Sequence, residues 1–351
     1  MKHTYISYYL PVIVYRLPLI AFCFLSFSLF SNPDSSRYCI AFYNVENLFD
    51  PENDPEKNDD AFTSEGFYHW NNKRFYKKLN DIAKVFLTIN GWEPPDMIGL
   101  AEIENANVLN KLCYATGLKA HQYRYVHYDS PDSRGIDVAL LFRKDRVEII
   151  ESKPIPIVFP FEPASKNRDI LYVKALVASD TLHLFVNHWT SRFGGAGVTI
   201  PKRNLYAQVL KYHTDSLLSI NQDAYIIIMG DFNDYSTDES MVKYLQAKNY
   251  KNDKTQGTLF NLMFPLTEKN KGTHKTQEFW GCLDQFIVSK SLLDDKNRWH
   301  IENGEAIIFD APFLLVNDEK YGGVKTFRTY SGPKYLGGYS DHLPVKVILK
   351  R

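Results

Sequence analysis

Six short polar clusters, each set directly after or inside an apolar run, constrain this chain more than anything else in it. They are Asn44-Val45-Glu46-Asn47, Ala101-Glu102-Ile103-Glu104-Asn105, Asn187-His188-Trp189, Gly230-Asp231-Phe232-Asn233, Cys282-Leu283-Asp284-Gln285-Phe286 and Ser340-Asp341-His342. A short apolar run that ends in polar groups is the pattern of a buried strand reaching the rim of its sheet. Carboxylates, amides and imidazoles recur among the clusters, so several strand ends are expected to deliver one polar site. The clusters span residues 44–342, and a site assembled from both ends of the chain calls for one large α/β domain rather than two small ones.

The 351 residues carry 44% hydrophobic and 15% aromatic content, which supports a large ordered core. The formal net charge is +0, so no global field draws the chain to nucleic acid or anionic lipid. A local basic patch stays open, because Arg192, Lys202, Arg203 and Lys211 fall in a stretch without an acidic residue. Residues 1–31 read as a signal peptide. Lys2 and Arg16 precede the apolar run Leu17–Phe30, which is short for a membrane span and suits an export signal. The alternative is an uncleaved anchor over residues 5–30, which Arg16 opposes; membrane contact would come only from that segment. An exported protein, periplasmic or secreted, with residues 36–351 as its domain, is the expectation. Cys39, Cys113 and Cys282 have no zinc spacing and are odd in number, so buried free thiols are expected. No obligate protein partner is evident.

Along the chain, strands are expected at Tyr38–Tyr43, Met97–Leu100, Ala224–Met229, Leu283–Val288 and Val345–Leu349. Hairpins are expected over Tyr123–Tyr128 with Val138–Phe142, and over Tyr172–Val177 with Leu182–Val186, the second turned at Ser179-Asp180. Residues 50–66 are a polar loop. Phe75, Leu79, Ile82, Phe86 and Ile89 recur at helical spacing, and Asn107–Thr116 suits a second helix. Pro201 is expected to open a third at its first position, with Leu205, Val209 and Tyr212 inward. A further helix is expected near Glu239–Lys248, and residues 249–278 read as polar and irregular. Hairpins and helices feeding one site predict two mixed β-sheets packed face to face, with helices outside.

Phosphodiester hydrolysis needs charge neutralised on phosphate, water activated and the leaving oxygen stabilised. Hard oxygen ligands select Mg²⁺ or Mn²⁺ over zinc. Glu102 follows an apolar strand and is the leading metal ligand; Glu104 lies on the same side by alternation. Asp231 and Asn233 also alternate to one face, with Gly230 expected to let the chain turn. An Asx-turn closing a strand is the structural alternative for that motif.

In this order and with these chemistries the six clusters resemble the endonuclease/exonuclease/phosphatase (DNase I-like) superfamily. The resemblance covers about Tyr38 to Lys350. The runs Asn187–Gly195 and Gly230–Glu239 are similar to secreted bacterial nuclease-type members. It implies a four-layer α/β sandwich and a Mg²⁺ (or Mn²⁺) site at Asn44, Glu102 and Asp341. It implies catalytic roles for His188, Asp231, Asn233, Asp284 and His342: Asp231 orients or deprotonates water, and Asn233 holds Asp231 and the phosphate. Asp284 fixes the tautomer of His342, which then meets the phosphate as a donor. Glu46 and Glu104 are candidates to stand behind the metal ligands, a surface Glu46 being equally open. Arg134, Arg192 and Arg203 are candidate phosphate contacts. The expected function is an exported metal-dependent endonuclease with a nucleic-acid substrate. Alternatives are a phosphatase or phosphodiesterase for inositol phosphates or phospholipids such as sphingomyelin, and a non-catalytic binding module. The apolar Pro154–Phe161 run could touch lipid, edge-strand packing being its plainer explanation.

Overall fold

The computed structural model describes residues 36–91, 93–249 and 258–351, and the expected signal peptide lies outside them. Successive side chains of a strand point to opposite faces. In β1 (Arg37–Leu48), Ile40 and Phe42 enter one apolar cluster, and Ala41 and Tyr43 another. A strand buried on both faces belongs in the middle of a layered fold.

β1 sits in a first sheet with β2 (Met97–Ile103), β3 (Tyr123–His127), β4 (Asp137–Arg143) and, from the chain's end, β11 (Val345–Lys350), in the order β3-β4-β2-β1-β11. β1 runs parallel to β2 and antiparallel to β11. The second sheet holds β5 (Val147–Ile155), β6 (Ile170–Val177), β7 (Asp180–His188), β8 (Tyr225–Asp231), β9 (Leu259–Asn261) and β10 (Asp284–Ser289), in the order β5-β6-β7-β8-β10-β9. Short strands extend both sheets: Ala247–Lys248 beside β9, and His300–Ile301 and Ile307–Ile308 beside β11.

Between the sheets, Phe42, Met97 and Leu140 pack with Val186, Met229 and Phe286. The sheets approach closely at Gly99, where an added Cβ would lie 2.7 Å from Met229 Sδ. Helices α1 (Asn72–Thr88) and α2 (Ala106–Tyr114) cover the first sheet through Leu79, Ile82, Phe86, Leu109 and Leu112. Asn71 and Asn105 cap them, each side chain accepting a bond from a backbone N–H of the first turn. Helix α3 (Ala196–Ile220) covers the second sheet through Tyr206 and Leu210. The result is the four-layer sandwich of two mixed sheets that the sequence pattern and the resemblance imply. Cys39, Cys113 and Cys282 are buried and free.

Several local expectations change. α3 begins at Ala196, so Pro201 lies inside it rather than at its first position; near a helix start a missing N–H forfeits only one bond. Leu205 and Val209 pack against the core as expected, but Tyr212 is 70% exposed, and the fully buried stripe is Tyr206, Ala207 and Leu210. The expected helix near Glu239–Lys248 is a short π-helical turn, Ser240–Leu245, followed by Ala247–Lys248 as a strand. The region 249–278 holds β9, a single helical turn at Phe264–Thr267 and the strand His274–Thr276. The second hairpin turns at Ala178-Ser179, one residue early, with Ala178 at φ 57.

Candidate active site

The rims of β1 and β2 are both bulged. Register slips between Asn44 and Leu48, and between Ala101 and Ile103. The backbone is left-handed at Glu46 (φ 52), Asn47 (φ 50) and Glu102 (φ 66). Non-glycine residues adopt that conformation at a cost of about 1–3 kcal/mol each, so it is kept where it re-aims side chains. Glu102 is turned to the site by it. Its Oε2 accepts from Asn47 N at 2.7 Å, and its Oε1 accepts from Asn44 Nδ2 at 3.3 Å. The same bulge breaks the alternation that was to place Glu104 beside Glu102. Glu104 instead accepts from Asp50 N at 2.6 Å, away from these groups, and burial pushes its pKa up to about 9.

Asp231 ends β8, in register with Asp284 at the start of β10 and with His188 at the end of β7. Its Oδ2 accepts from Asn44 Nδ2 at 3.0 Å and its Oδ1 from Asn233 N at 2.9 Å. Burial raises its pKa to about 6, against the lowering pull of His342. His342 Nδ1 is 2.7 Å from Asp284 Oδ2, and its Nε2 lies 3.8 Å from Asp231 Oδ2. Burial disfavours a charged ring here, but Asp284, Asp231 and Asp341 outweigh it, and the His342 pKa stands well above the ordinary value. His342 is therefore a cation at neutral pH. An oxygen between its Nε2 and Asp231 would be within hydrogen-bonding reach of both.

Asn233 differs from the alternating picture. It is left-handed (φ 51), its backbone N–H holds Asp231, and its side-chain amide donates to Trp189 O at 3.1 Å. Gly230 does not turn the chain either: it lies within β8, where an added Cβ would fall 2.4 Å from Asn187 O. It is a close-approach residue.

His188 Nε2 faces Asp231 Oδ2 at 3.7 Å and Glu102 Oε1 at 3.9 Å. Burial, then Arg168, Arg134 and His342, hold its pKa well below the ordinary value, so it is neutral. Arg168 fixes this strand end, donating to His188 O at 2.9 Å and Trp189 O at 2.8 Å while pairing with Asp132 at 2.9 Å. Arg134 stands near enough to Glu102 and His188 for each to feel its charge, with its side chain 47% exposed.

On the far side, Ser340 Oγ donates to Asn44 O at 2.7 Å and accepts from His342 N at 3.0 Å, which joins the last motif to the first. Asp341 Oδ2 accepts from Arg328 Nη2 at 2.9 Å. Burial opposes its charge, but His342, Arg328, His274 and Lys78 keep its pKa below the ordinary value. Glu46 is not a surface residue: it accepts from Arg328 Nε at 3.2 Å and from Thr329 N at 2.6 Å. Glu102 and Asp341 offer hard carboxylate oxygens, while the Asn44 amide turns its Nδ2 to Glu102 and its Oδ1 accepts from Glu46 N at 3.0 Å. Among the described residues, Asp231, Asp284 and His342, and His274, Asp341 and His342, are the groups of this site that bring three possible ligand atoms within 4.8 Å of one another. The loose 3.3 Å contact at Glu102 Oε1 leaves lone pairs for a divalent ion.

The basic stretch is neutralised within the protein. Arg192 Nη2 pairs with Asp234 at 3.0 Å and Asp238 at 2.5 Å. Arg203 is 1% exposed and pairs with Asp234 at 2.7 Å. Lys202 pairs with Glu162 and Lys211 with Asp215. Arg203 is thus no surface phosphate contact, and the open basic patch is corrected to a set of ion pairs. Glu162, Asp234 and Asp238 lie outside the stretch and Asp215 just beyond its end, one helical turn after Lys211, so scanning the stretch alone misses them.

Sequence reasoning also missed Lys78, Arg328, His274 and Thr273. Lys78 lies on the inner stripe of α1, between Phe75 and Ile82, and a lysine at such a position is a readable signal. Thr273 Oγ1 accepts from the N–H groups of Leu283 and Asp284 at 3.2 Å each and so steadies Asp284. His274 packs beside His342 with the rings tilted and their centroids 4.8 Å apart, and burial lowers its pKa to about 4. Neither Thr273 nor Arg328 stands in a pattern that spacing reveals.

The sequence profile of the Endonuclease/Exonuclease/phosphatase family matches residues 39–351, and the chain belongs to that family. No curated protein matches the sequence. Solved structures do. A mannosyl-6-phosphatase from Bacteroides thetaiotaomicron superposes with TM-score 0.55 and 18% identity, over 90% of this chain and 100% of that one. D. rerio TDP2 in complex with a single-strand DNA product gives TM-score 0.54 at 14% identity, over 90% and 100%. The catalytic domain of human Nocturnin, with a bound sulfate anion, gives TM-score 0.53 at 14% identity, over 90% and 94%. At such identities the likeness is one of fold. Family and site together define a phosphoric ester hydrolase whose acidic residues can hold a divalent metal.

Proposed function

We propose that the chain is an exported, Mg²⁺- or Mn²⁺-dependent phosphodiesterase that cuts nucleic acid internally. The observation that carries the hydrolytic part is the Asp284–His342–Asp231 arrangement: a charged imidazole and a buried carboxylate with pKa near 6, their polar atoms 3.8 Å apart. Asp231, held by Asn44 and the Asn233 N–H, takes a proton from water. His342, charged by Asp284, donates to a phosphate oxygen and stabilises the negative charge that grows there. Neutral His188 donates to a second oxygen. Asn44, Glu102 and Asp341 would hold the divalent ion, which when bound would supply Lewis acidity toward the phosphate. Export rests on the N-terminal charge-then-apolar pattern, and nucleic acid on the nuclease-type motifs.

A second reading is favoured by the paired arginines. The neutralised 192–211 stretch offers no open basic platform, which suits a small phosphate ester, such as an inositol phosphate, or a phospholipid. The deciding experiment sets plasmid DNA, RNA, inositol phosphates and sphingomyelin against the wild type and Asp231→Asn, with Mg²⁺, Mn²⁺ or chelator. Metal-dependent plasmid nicking that Asp231→Asn abolishes is the expected result. Full activity in chelator would overturn the metal reading. Turnover of inositol phosphates or sphingomyelin alone would replace the nuclease.

A further inference from the structure

Helix α3 leaves part of the second sheet's outer face open. Where Tyr206 and Leu210 meet that face it is apolar, with Ile170 and Phe185 in the same cluster. Beyond them the strands turn polar, and a cleft of about 430 Å³ opens between β5, β6 and β7 and the C-terminal end of α3. Two cross-strand rows form its floor. Lys153, Tyr172 and Phe185 stand in register in one, and Glu151, Lys174 and His183 in the other. Tyr172 Oη lies 2.8 Å from His183 Nδ1. The hydroxyl has no other acceptor among the described residues, so it donates to Nδ1 and leaves the ring proton on Nε2. Burial, then Lys174, lower the His183 pKa to about 4, and burial, then Lys153, lower that of His213 on the helix wall. Each neutral ring thus lies close to an ammonium group. Lys153 Nζ is 3.5 Å from Glu151 Oε1, and both side chains are half exposed. Lys174 has no ion pair among the described residues. The lining as a whole sets two ammonium groups against one carboxylate.

We propose that this cleft is a second ligand site, separate from the catalytic one, that takes a phosphate monoester with an apolar ester group. The donors select the head group. Lys153, Lys174 and the His183 Nε2–H come from three adjacent strands, and a monoester offers a terminal oxygen to each of them. A diester or a carboxylate offers one oxygen fewer. A monoester also carries about −1.5 to −2 charge at neutral pH, which suits two ammonium groups. Glu151, which pairs with Lys153, is exposed enough to turn to solvent as the anion enters. Leu217 and Ile220 of α3 supply the apolar wall, and Ile220 is 86% exposed, so covering it adds to affinity. The volume is one that suits a small-molecule site. His183 and the catalytic His188 lie on the same strand, about 17 Å apart, so the two sites share no groups. A hydrolase that opens a phosphodiester releases a monoester, so the ligand is of the class of its own product. Neither the divalent ion nor a polymeric substrate is needed for such binding.

Phenylphosphonate carries the three oxygens on an apolar ring, and its C–P bond leaves no ester to hydrolyse. It is titrated into the full chain in chelator by calorimetry, with the His183 ring nitrogens followed by NMR. Saturable binding that shifts the His183 Nε2 resonance is expected. Lys174→Met keeps most of the stem, removes the charge and should weaken binding by about tenfold or more. Lys153→Met is read in the same way and serves if that variant does not fold. Benzoate, with one oxygen fewer, and inorganic phosphate, with no apolar body, should each bind more weakly than phenylphosphonate. Arg134→Ala and Asp231→Asn, at the catalytic rim, should leave the affinity unchanged. No binding at millimolar phenylphosphonate would overturn the site, as would an affinity that folded Lys174→Met and Lys153→Met both retain. Loss of binding in Arg134→Ala would place the anion at the catalytic rim instead. Benzoate binding as tightly would replace the phosphate monoester by a carboxylate.

Discussion

The two flanks of the site use arginine in opposite ways. On the flank of His342, Arg328 reaches in from solvent and pairs with carboxylates that face the reacting groups. On the flank of α3, Arg203 is buried, and it and Arg192 share Asp234 behind the Asp231–Asn233 rim. In sequence the second flank looks the more functional, being a run of bases without acids. In space it is scaffold. An arginine's role follows from whether its carboxylate partner also faces the reaction, and sequence distance hides that partner in both cases.

The largest expected effect tests the reactive side. Asp231→Asn keeps the volume and hydrogen-bonding reach of the side chain but removes the base. Turnover should fall by about 10²–10⁴-fold with the thermal unfolding midpoint little changed. Wild-type rates in a folded Asp231→Asn would mean that another group activates water.

Arg203→Ala sharpens the contrast from the scaffold side. It leaves Asp234 buried with only Arg192 as a charged partner, and breaking a buried pair in this way costs about 3 kcal/mol. A denaturant titration should show that loss, while the activity of the folded fraction stays near wild type. Arg328→Ala also leaves a buried carboxylate, Glu46, with a single charged partner, but it should lower the turnover of the folded fraction as well, because Arg328 also holds Asp341 beside the reacting groups. If the folded fraction of both variants kept wild-type turnover, the two flanks would not differ as described.

Asp284→Asn probes the charge on His342. The carboxylate of Asp284 is the largest of the groups that raise the His342 pKa against burial. Without it the ring is neutral over more of the pH range, and turnover at neutral pH should drop by about two orders of magnitude. The pH profile carries a separate mark. Asp231 must be ionised to accept a proton, so wild-type activity should rise as pH passes about 6. His342 must be protonated, and its raised pKa puts the alkaline fall well above neutrality. Asp284→Asn should move that fall to lower pH. An unmoved alkaline limb would detach Asp284 from the acid.

How far these contrasts could be read from the chain depends on the range of the forces involved. Strand ends were legible because burial writes itself locally: Ala224–Met229 is apolar on both faces and Asp231 is not. The bulges at Glu102 and Asn44 were not legible, because a left-handed residue in a strand is settled by the neighbouring strand and by bonds such as Asn47 N to Glu102. Hence Glu104 and Asn233 were placed by an alternation that the fold breaks. Arg328 lies 282 residues from Glu46, and no local pattern spans that gap.

The smallest effect concerns salt. If nucleic acid is the substrate, each phosphate contacted by a free cation steepens the log–log salt dependence of binding by roughly one unit. Arg192 Nη2 is held by two carboxylates and its Nε donates to Asn233 O at 2.6 Å, so it has few counterions to release. Arg192→Ala should therefore change the salt slope of DNA binding by well under one unit, even though Arg192 lies in the stretch richest in bases. Arg134, with its side chain 47% exposed near Glu102, is the better placed to meet a phosphate beside the cut. Arg134→Ala should flatten the slope by up to about one unit. A full unit lost at Arg192 and none at Arg134 would reverse the assignment and return the basic stretch to the substrate path.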